Sequence, residues 1–158
     1  MILIAYDGSA DAQAAIDTAG HLMKGQPATV LTVWERLTDV VARTGAGVPI
    51  GEVDYESVDQ SSADQARERA EEGAERAKRA GLEPRARTSV REDSIAATIL
   101  AQADELGANA IVMGTRGLTG FKSLLLGSVS HGVIQHADRP VVVVPSPATA
   151  SERAAHRP

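Results

Sequence analysis

Four short apolar runs, at residues 2–6, 29–34, 110–113 and 141–144, alternate with stretches of helical periodicity. Each run is nearly continuous in aliphatic residues, the pattern of a strand buried on both faces. A weaker fifth run at residues 85–90 alternates polar with apolar residues and suits an edge strand. Ser9 precedes Ala12, Ala15, Ile16, Ala19, Leu22 and Met23, which form one apolar helix face behind a capping residue. Ser62, with Gln65 three residues on, reads as a capping box that opens a charged, Ala-rich helix ended by Gly81. Ser94 precedes Ile95, Ile99, Leu100, Ala103 and Leu106, and Gly107 closes that helix. A last helix is expected from Gly127 and Ser128 to a point before Pro140. Strand alternating with helix five times over implies right-handed crossovers and a parallel sheet, an α/β domain. Periodicity does not set the order of the strands.

The chain of 158 residues fits one domain with a sizeable core. Its aromatics are Tyr6, Trp34, Tyr55 and Phe121, so that core must rest on aliphatic side chains. A formal charge of −5 disfavours nucleic acid and anionic membrane as partners. No segment approaches the ~18 apolar residues that span a bilayer. The absence of cysteine excludes disulfides and cysteine-ligated metal. Together with an amino terminus that reads as a strand rather than a signal peptide, it makes a cytoplasmic location the expectation.

Gly114 and Gly117 begin where the run at 110–113 ends, and Gly127 and Ser128 follow after nine more residues. Glycines let a backbone turn tightly and approach a ligand with no Cβ in the way. A helix opening at Gly127 and Ser128 would aim free N–H groups and a positive dipole end at an anion in that crevice. Strand, glycine loop and helix together read as a phosphate cradle, so nucleotide binding is expected. Asp7 ends the first run ahead of Gly8 and Ser9. Helix capping is its bland role, and because Ser9 suffices for that, a ligand role is favoured. Arg116 and Lys122 flank the glycine loop, either as cations beside a phosphate or as ordinary surface charges. His131 and His136 lie about 140° apart around a helix and cannot share a metal. The Walker A loop, the dinucleotide fingerprint and the nucleophile elbow are all missing.

The spacing Gly-x2-Gly-x9-Gly-Ser resembles the ATP-binding signature of the universal stress protein family. The opening strand with its Asp7, Gly8, Ser9 turn, the approach to Gly114 from Asp104, and the segments 127–131 and 139–145 resemble the family as well. The match covers residues 1–146 in order. Residues 36–60 match nothing in it, and residues 147–158, rich in Pro, Ala and charge, read as a disordered tail.

This resemblance implies a five-stranded parallel open sheet of order 3-2-1-4-5 flanked by helices, Rossmann-like and similar to the adenine nucleotide alpha hydrolase fold. The boundary between strands 1 and 4 then becomes the topological switch point, where such sheets bind ligands. The implied ligand is ATP, or ADP or AMP, with Mg²⁺. Asp7 would touch the nucleotide or a cation beside its phosphates. The other implied contacts start with Ala5 and Tyr6 on the first strand and Val33, whose backbone would recognise adenine. They continue with Met113, Gly114, Arg116 and Gly117, and end with Gly127, Ser128, Val129 and Ser130. Gly114 would let the ribose lie close to the chain. Amides of Gly117, Gly127, Ser128 and Val129, with the hydroxyls of Ser128 and Ser130, would hold the phosphates. Val33 and Met113 read equally well as core.

The family order also puts Val141–Val144 at the sheet edge, where Pro140 and Pro145 bracket it. An open apolar edge invites a second copy, giving a two-fold homodimer. The expected role is a homodimeric, nucleotide-dependent stress-response regulator that acts on an unidentified partner protein. A slow ATPase or phosphotransferase and a nucleotide-free interaction dimer are the alternatives, and no catalytic residue is assigned. Residues 36–60 are read as a long loop on the ligand side that responds to occupancy.

Overall fold

In a computed structural model that describes residues 1–45, 53–118 and 126–155, β1 (Ile2–Ala5) is the central strand of a five-stranded sheet. β2 (Pro27–Trp34) and β4 (Ala110–Gly114) flank it, β3 (Glu83–Val90) lies outside β2, and β5 (Val141–Val144) lies outside β4. Every pairing is parallel and the order is 3-2-1-4-5, as expected. The register puts Ile4 opposite Val30 on one side and Val112 on the other. Central strands of such a sheet have no solvent face, which is why they read as unbroken apolar runs.

Successive strand residues point to opposite faces and build two cores. On one face Ile2, Ile4, Val30 and Val112 pack with Ala15, Ile16 and Ala19 of α1 (Ala10–Leu22) and with Ala77 of α3 (Tyr55–Arg79). On the other, Leu3, Leu31, Ile111 and Met113 pack with Ile99 and Ala103 of α4 (Ile95–Glu105) and Val133 of α5 (Ser128–His136). Leu3, Ile4, Ile16 and Ile111 are fully enclosed, and burial of each such side chain stabilises the fold by about 1.5–3 kcal/mol.

Ser9 and Ser94 cap α1 and α4 as expected, each side-chain oxygen accepting an amide three residues on. The opening of α3 differs. Asp54, not Ser62, caps it by accepting the Ser57 amide at 3.1 Å. The segment 36–60 is therefore not one long loop: α2 (Leu37–Thr44) fills its first part and α3 its last, and residues 46–52 lie outside the described residues. Apolar Leu37, Val40 and Val41 recur at helical spacing, a signal that the neighbouring glycines mask.

The tail departs from expectation as well. Residues 147–155 form α6 (Pro147–Ala155), whose amino end is held by Ser146, whereas 156–158 lie outside the described residues. Proline suits the first turn of a helix behind a capping serine, and burial of Thr149 supplies the anchoring that a solvated tail would lack.

Candidate nucleotide-binding site

At the carboxyl ends of β1, β2 and β4 a cavity of about 460 Å³ opens between the sheet and the second helical layer. All twelve residues singled out for the site line it. Its walls divide by chemistry. Ala5, Val33 and Met113 on the strands, with Val129 on α5, make an apolar slot. Asp7, Gly114, Arg116 and Gly117, with Gly127, Ser128 and Ser130, bound the polar end. Leu31 of β2 and Ile95 and Ile99 of α4 complete the slot, and Thr115 and Leu118 complete the loop. Sequence reasoning read the two isoleucines only as helix core, because an i, i+4 apolar pair carries no mark of which neighbour it faces.

The carboxylate of Asp7 spans the turn after β1 and the glycine loop. One oxygen accepts the Ser9 amide at 3.0 Å and the other accepts the Leu118 amide at 3.2 Å. Gly8 between them has φ +83°, a conformation that glycine adopts without strain. The Ser9 hydroxyl adds a bond to the Arg116 carbonyl at 3.3 Å. Asp7 thus holds the loop as well as facing the cavity.

Several expected roles change once the hydrogen bonds are traced. The Gly127 amide, expected to meet a phosphate, donates to the Thr115 carbonyl at 2.7 Å. The Ser130 hydroxyl is enclosed and donates to that same carbonyl at 2.9 Å. Both donors fasten α5 to the loop. The amides of Ser128, Val129 and Ser130 lie in the first turn of α5, where no intrahelical acceptor exists, and this end of a helix dipole suits an anion. The Arg116 guanidinium is paired with Glu152 of α6 at 3.1 Å. The Tyr6 hydroxyl turns to Glu72 of α3 at 3.0 Å and the ring packs in the first core, while the residue also lines the cavity. Lys122 lies outside the described residues.

Sequence reasoning missed Asp11. Its carboxylate is enclosed in the first turn of α1 and accepts from the Thr115 hydroxyl, the Arg116 amide (3.2 Å), the Ser146 amide (2.9 Å) and the Thr149 hydroxyl (2.9 Å). Burial by itself would raise its pKa. Hydrogen bonds from Ser146, Thr115 and Thr149 outweigh that and hold the carboxyl below its ordinary value. An acidic residue in the first turn of a helix usually complements the dipole, so its sequence position gave no sign of this role.

Among the described residues, no three or more His, Cys, Asp or Glu side chains group to hold a metal, and no helix is long and apolar enough to cross a membrane.

A model of the universal stress protein family matches residues 1–145. The chain is similar to the universal stress protein YxiE of Bacillus subtilis, 34% identical over 146 residues that cover 90% of this chain and 97% of that protein. Two solved structures share the fold. One is a universal stress protein family protein from Arabidopsis thaliana with AMP bound, at TM-score 0.64 and 14% identity, covering 94% of this chain and 93% of the other. The other is the universal stress protein from Archaeoglobus fulgidus in complex with dAMP, at TM-score 0.59 and 23% identity, covering 90% of this chain and 95% of the other. By the family-model match over residues 1–145 and the Bacillus subtilis relative, the chain belongs to the universal stress protein family.

Proposed function

We propose that this protein is an ATP-binding, homodimeric universal stress protein that reports nucleotide occupancy to a partner protein, as a regulator rather than a dedicated enzyme. One observation carries the reading: a single cavity of about 460 Å³ places an apolar slot beside the first-turn amides of α5. The slot suits a planar ring, and the helix end suits its phosphates. The AMP and dAMP bound to the two similar structures support adenine as that base. Asp7 is the carboxylate that faces the phosphate end, and Mg²⁺ there would be shared between it and phosphate oxygens, the usual arrangement for this ion.

Dimerisation in this reading uses β5, which closes one edge of the sheet and leaves Val141, Val142 and Val143 only half-buried. A cytoplasmic setting fits a chain with no cysteine.

The test is to denature purified protein, identify released small molecules by mass, and then titrate the emptied protein with ATP and Mg²⁺ by calorimetry. Adenine nucleotide in the released fraction and saturable binding at one site per chain are expected. Protein that carries no nucleotide and gives no heat with ATP, ADP or AMP would end this reading. Sedimentation of a monomer at micromolar concentration would remove the dimer from it.

A further inference from the structure

The family match stops at residue 145, and the next residue begins a set of contacts that runs back into the candidate site. The Ser146 hydroxyl donates to Thr149 Oγ1 at 3.0 Å, and Thr149 Oγ1 donates to Asp11 at 2.9 Å. The Ser146 amide reaches the same carboxylate oxygen at 2.9 Å. The other oxygen of Asp11 takes the Thr115 hydroxyl and the Arg116 amide. Thr115 in turn uses all its polar groups: its amide bonds the Val144 carbonyl at 3.0 Å, and its carbonyl receives Gly127 and Ser130 from the start of α5. A second tether joins Arg116 of the loop to Glu152 of α6.

Asp11, Thr115, Ser146 and Thr149 are all nearly inaccessible to solvent. A buried, fully bonded network has few alternative arrangements, because each donor left unmet is costly. Movement at one end is therefore transmitted to the other.

We infer that α6 is a positioning element for the phosphate end of the site, with Thr149 and Asp11 as positioning residues that set the first turn of α5 through Thr115. This deepens the nucleotide-binding reading and rests on it for its ligand. The coupling is reciprocal: a phosphate that orders the α5 amides also protects α6 from opening.

The experiment uses the full chain with Thr149→Val, which removes the hydroxyl at nearly constant volume, and Thr149→Ser, which keeps it. Hydrogen exchange of the Gly127 amide is measured without ligand, and ATP and adenosine affinities are measured by calorimetry. In Thr149→Val the Gly127 amide should exchange faster and ATP affinity should fall at least about fivefold, with adenosine within about twofold of the parent. Adenosine reports the apolar slot alone. Thr149→Ser should restore both quantities. Gly127 exchange unchanged in Thr149→Val while the 147–155 amides open would overturn the inference. An equal loss for ATP and adenosine would overturn it too, because α6 would then support the fold as a whole. If the parent binds no nucleotide, the functional reading fails by itself, and Gly127 exchange still decides whether α6 governs α5.

Discussion

A Cβ placed on Gly114 would stand 2.7 Å from the Asp11 carbonyl carbon and 2.8 Å from the Ala12 amide nitrogen. The glycine that ends β4 is therefore required by the close approach of α1, whatever the ligand does. Gly114→Ala forces the strand end and the helix start apart, and overpacking of this kind costs about 1–3 kcal/mol. Urea denaturation should show that loss with no ligand present. Unchanged stability would return Gly114 to a purely ligand-facing role.

Two serines, Ser128 and Ser130, should separate stability from affinity. Ser130→Ala removes an enclosed hydroxyl from the Thr115 carbonyl and should cost about 0.5–1.5 kcal/mol in stability. Ser128 is exposed in the first turn of α5. Ser128→Ala should leave the melting temperature alone and weaken ATP roughly ten- to a hundredfold, the loss of one hydrogen bond to a charged group. The reverse pattern, with Ser128→Ala unstable and Ser130→Ala weak in binding, would contradict the assignment of both hydroxyls.

Gly127 has φ −70° and ψ 162°, extended backbone open to any residue, and the nearest atom to an added Cβ is the Thr115 carbonyl oxygen at 3.4 Å. Gly127→Val should fold normally but spread the junction between loop and helix, so ATP affinity falls while far-ultraviolet dichroism is unchanged. Parent-like ATP binding in this variant would place the phosphates away from α5.

Tyr6 predicts a specific alkaline behaviour. Burial, then the neighbouring Glu72, pushes its hydroxyl from the ordinary 10.0 up to about 12. The folded state keeps a proton that the unfolded chain has released, so stability is complete below pH 10 and declines as pH rises toward about 12. Tyr6→Phe should flatten that decline. Its cost at neutral pH should be only about 0.5–1.5 kcal/mol, because Glu72 is exposed and can rehydrate. An identical alkaline slope in the variant would assign the effect to other groups.

Asp11 behaves in the opposite sense. Its folded pKa lies below the ordinary 3.8, so its contribution is complete above that value and is lost as pH falls through the folded value. Asp11→Asn should remove this part of the acid transition and destabilise the protein by about 1–3 kcal/mol, since an amide nitrogen would face donors from Ser146 and Thr149. An acid limb that is the same in parent and variant would refute the assignment.

Some of the molecule is legible residue by residue. The unbroken runs of β1, β2 and β4 are consequences of burial on both faces, whereas the equally apolar β5 lies at the sheet edge with Val141, Val142 and Val143 half-buried. Ser9 and Ser94 announce α1 and α4 because a cap needs only a side-chain oxygen and the next amides, all close in sequence. The twelve residues that line the cavity could be named together because glycine spacing is local and the family resemblance supplied strand order, which periodicity does not contain. Missed elements failed where local signals conflict. α2 and the start of α3 sit beside a cluster of Gly and Pro, and α6 has a composition that by itself suggests a solvated tail.

The strands, the starts of α1, α4 and α5, and a glycine loop followed by a helix are written locally in the sequence, because each depends on residues within a few positions of one another. Which donors of that loop are already spent within the fold depends on distant parts of the chain. Gly127 and Ser130 are used by Thr115, Arg116 by Glu152, and Thr115 and Thr149 by Asp11. Those partners stand up to 138 residues apart in the chain. A hydrogen bond is set by distance in space, and no periodicity along a sequence encodes which distant donor will reach a buried carboxylate.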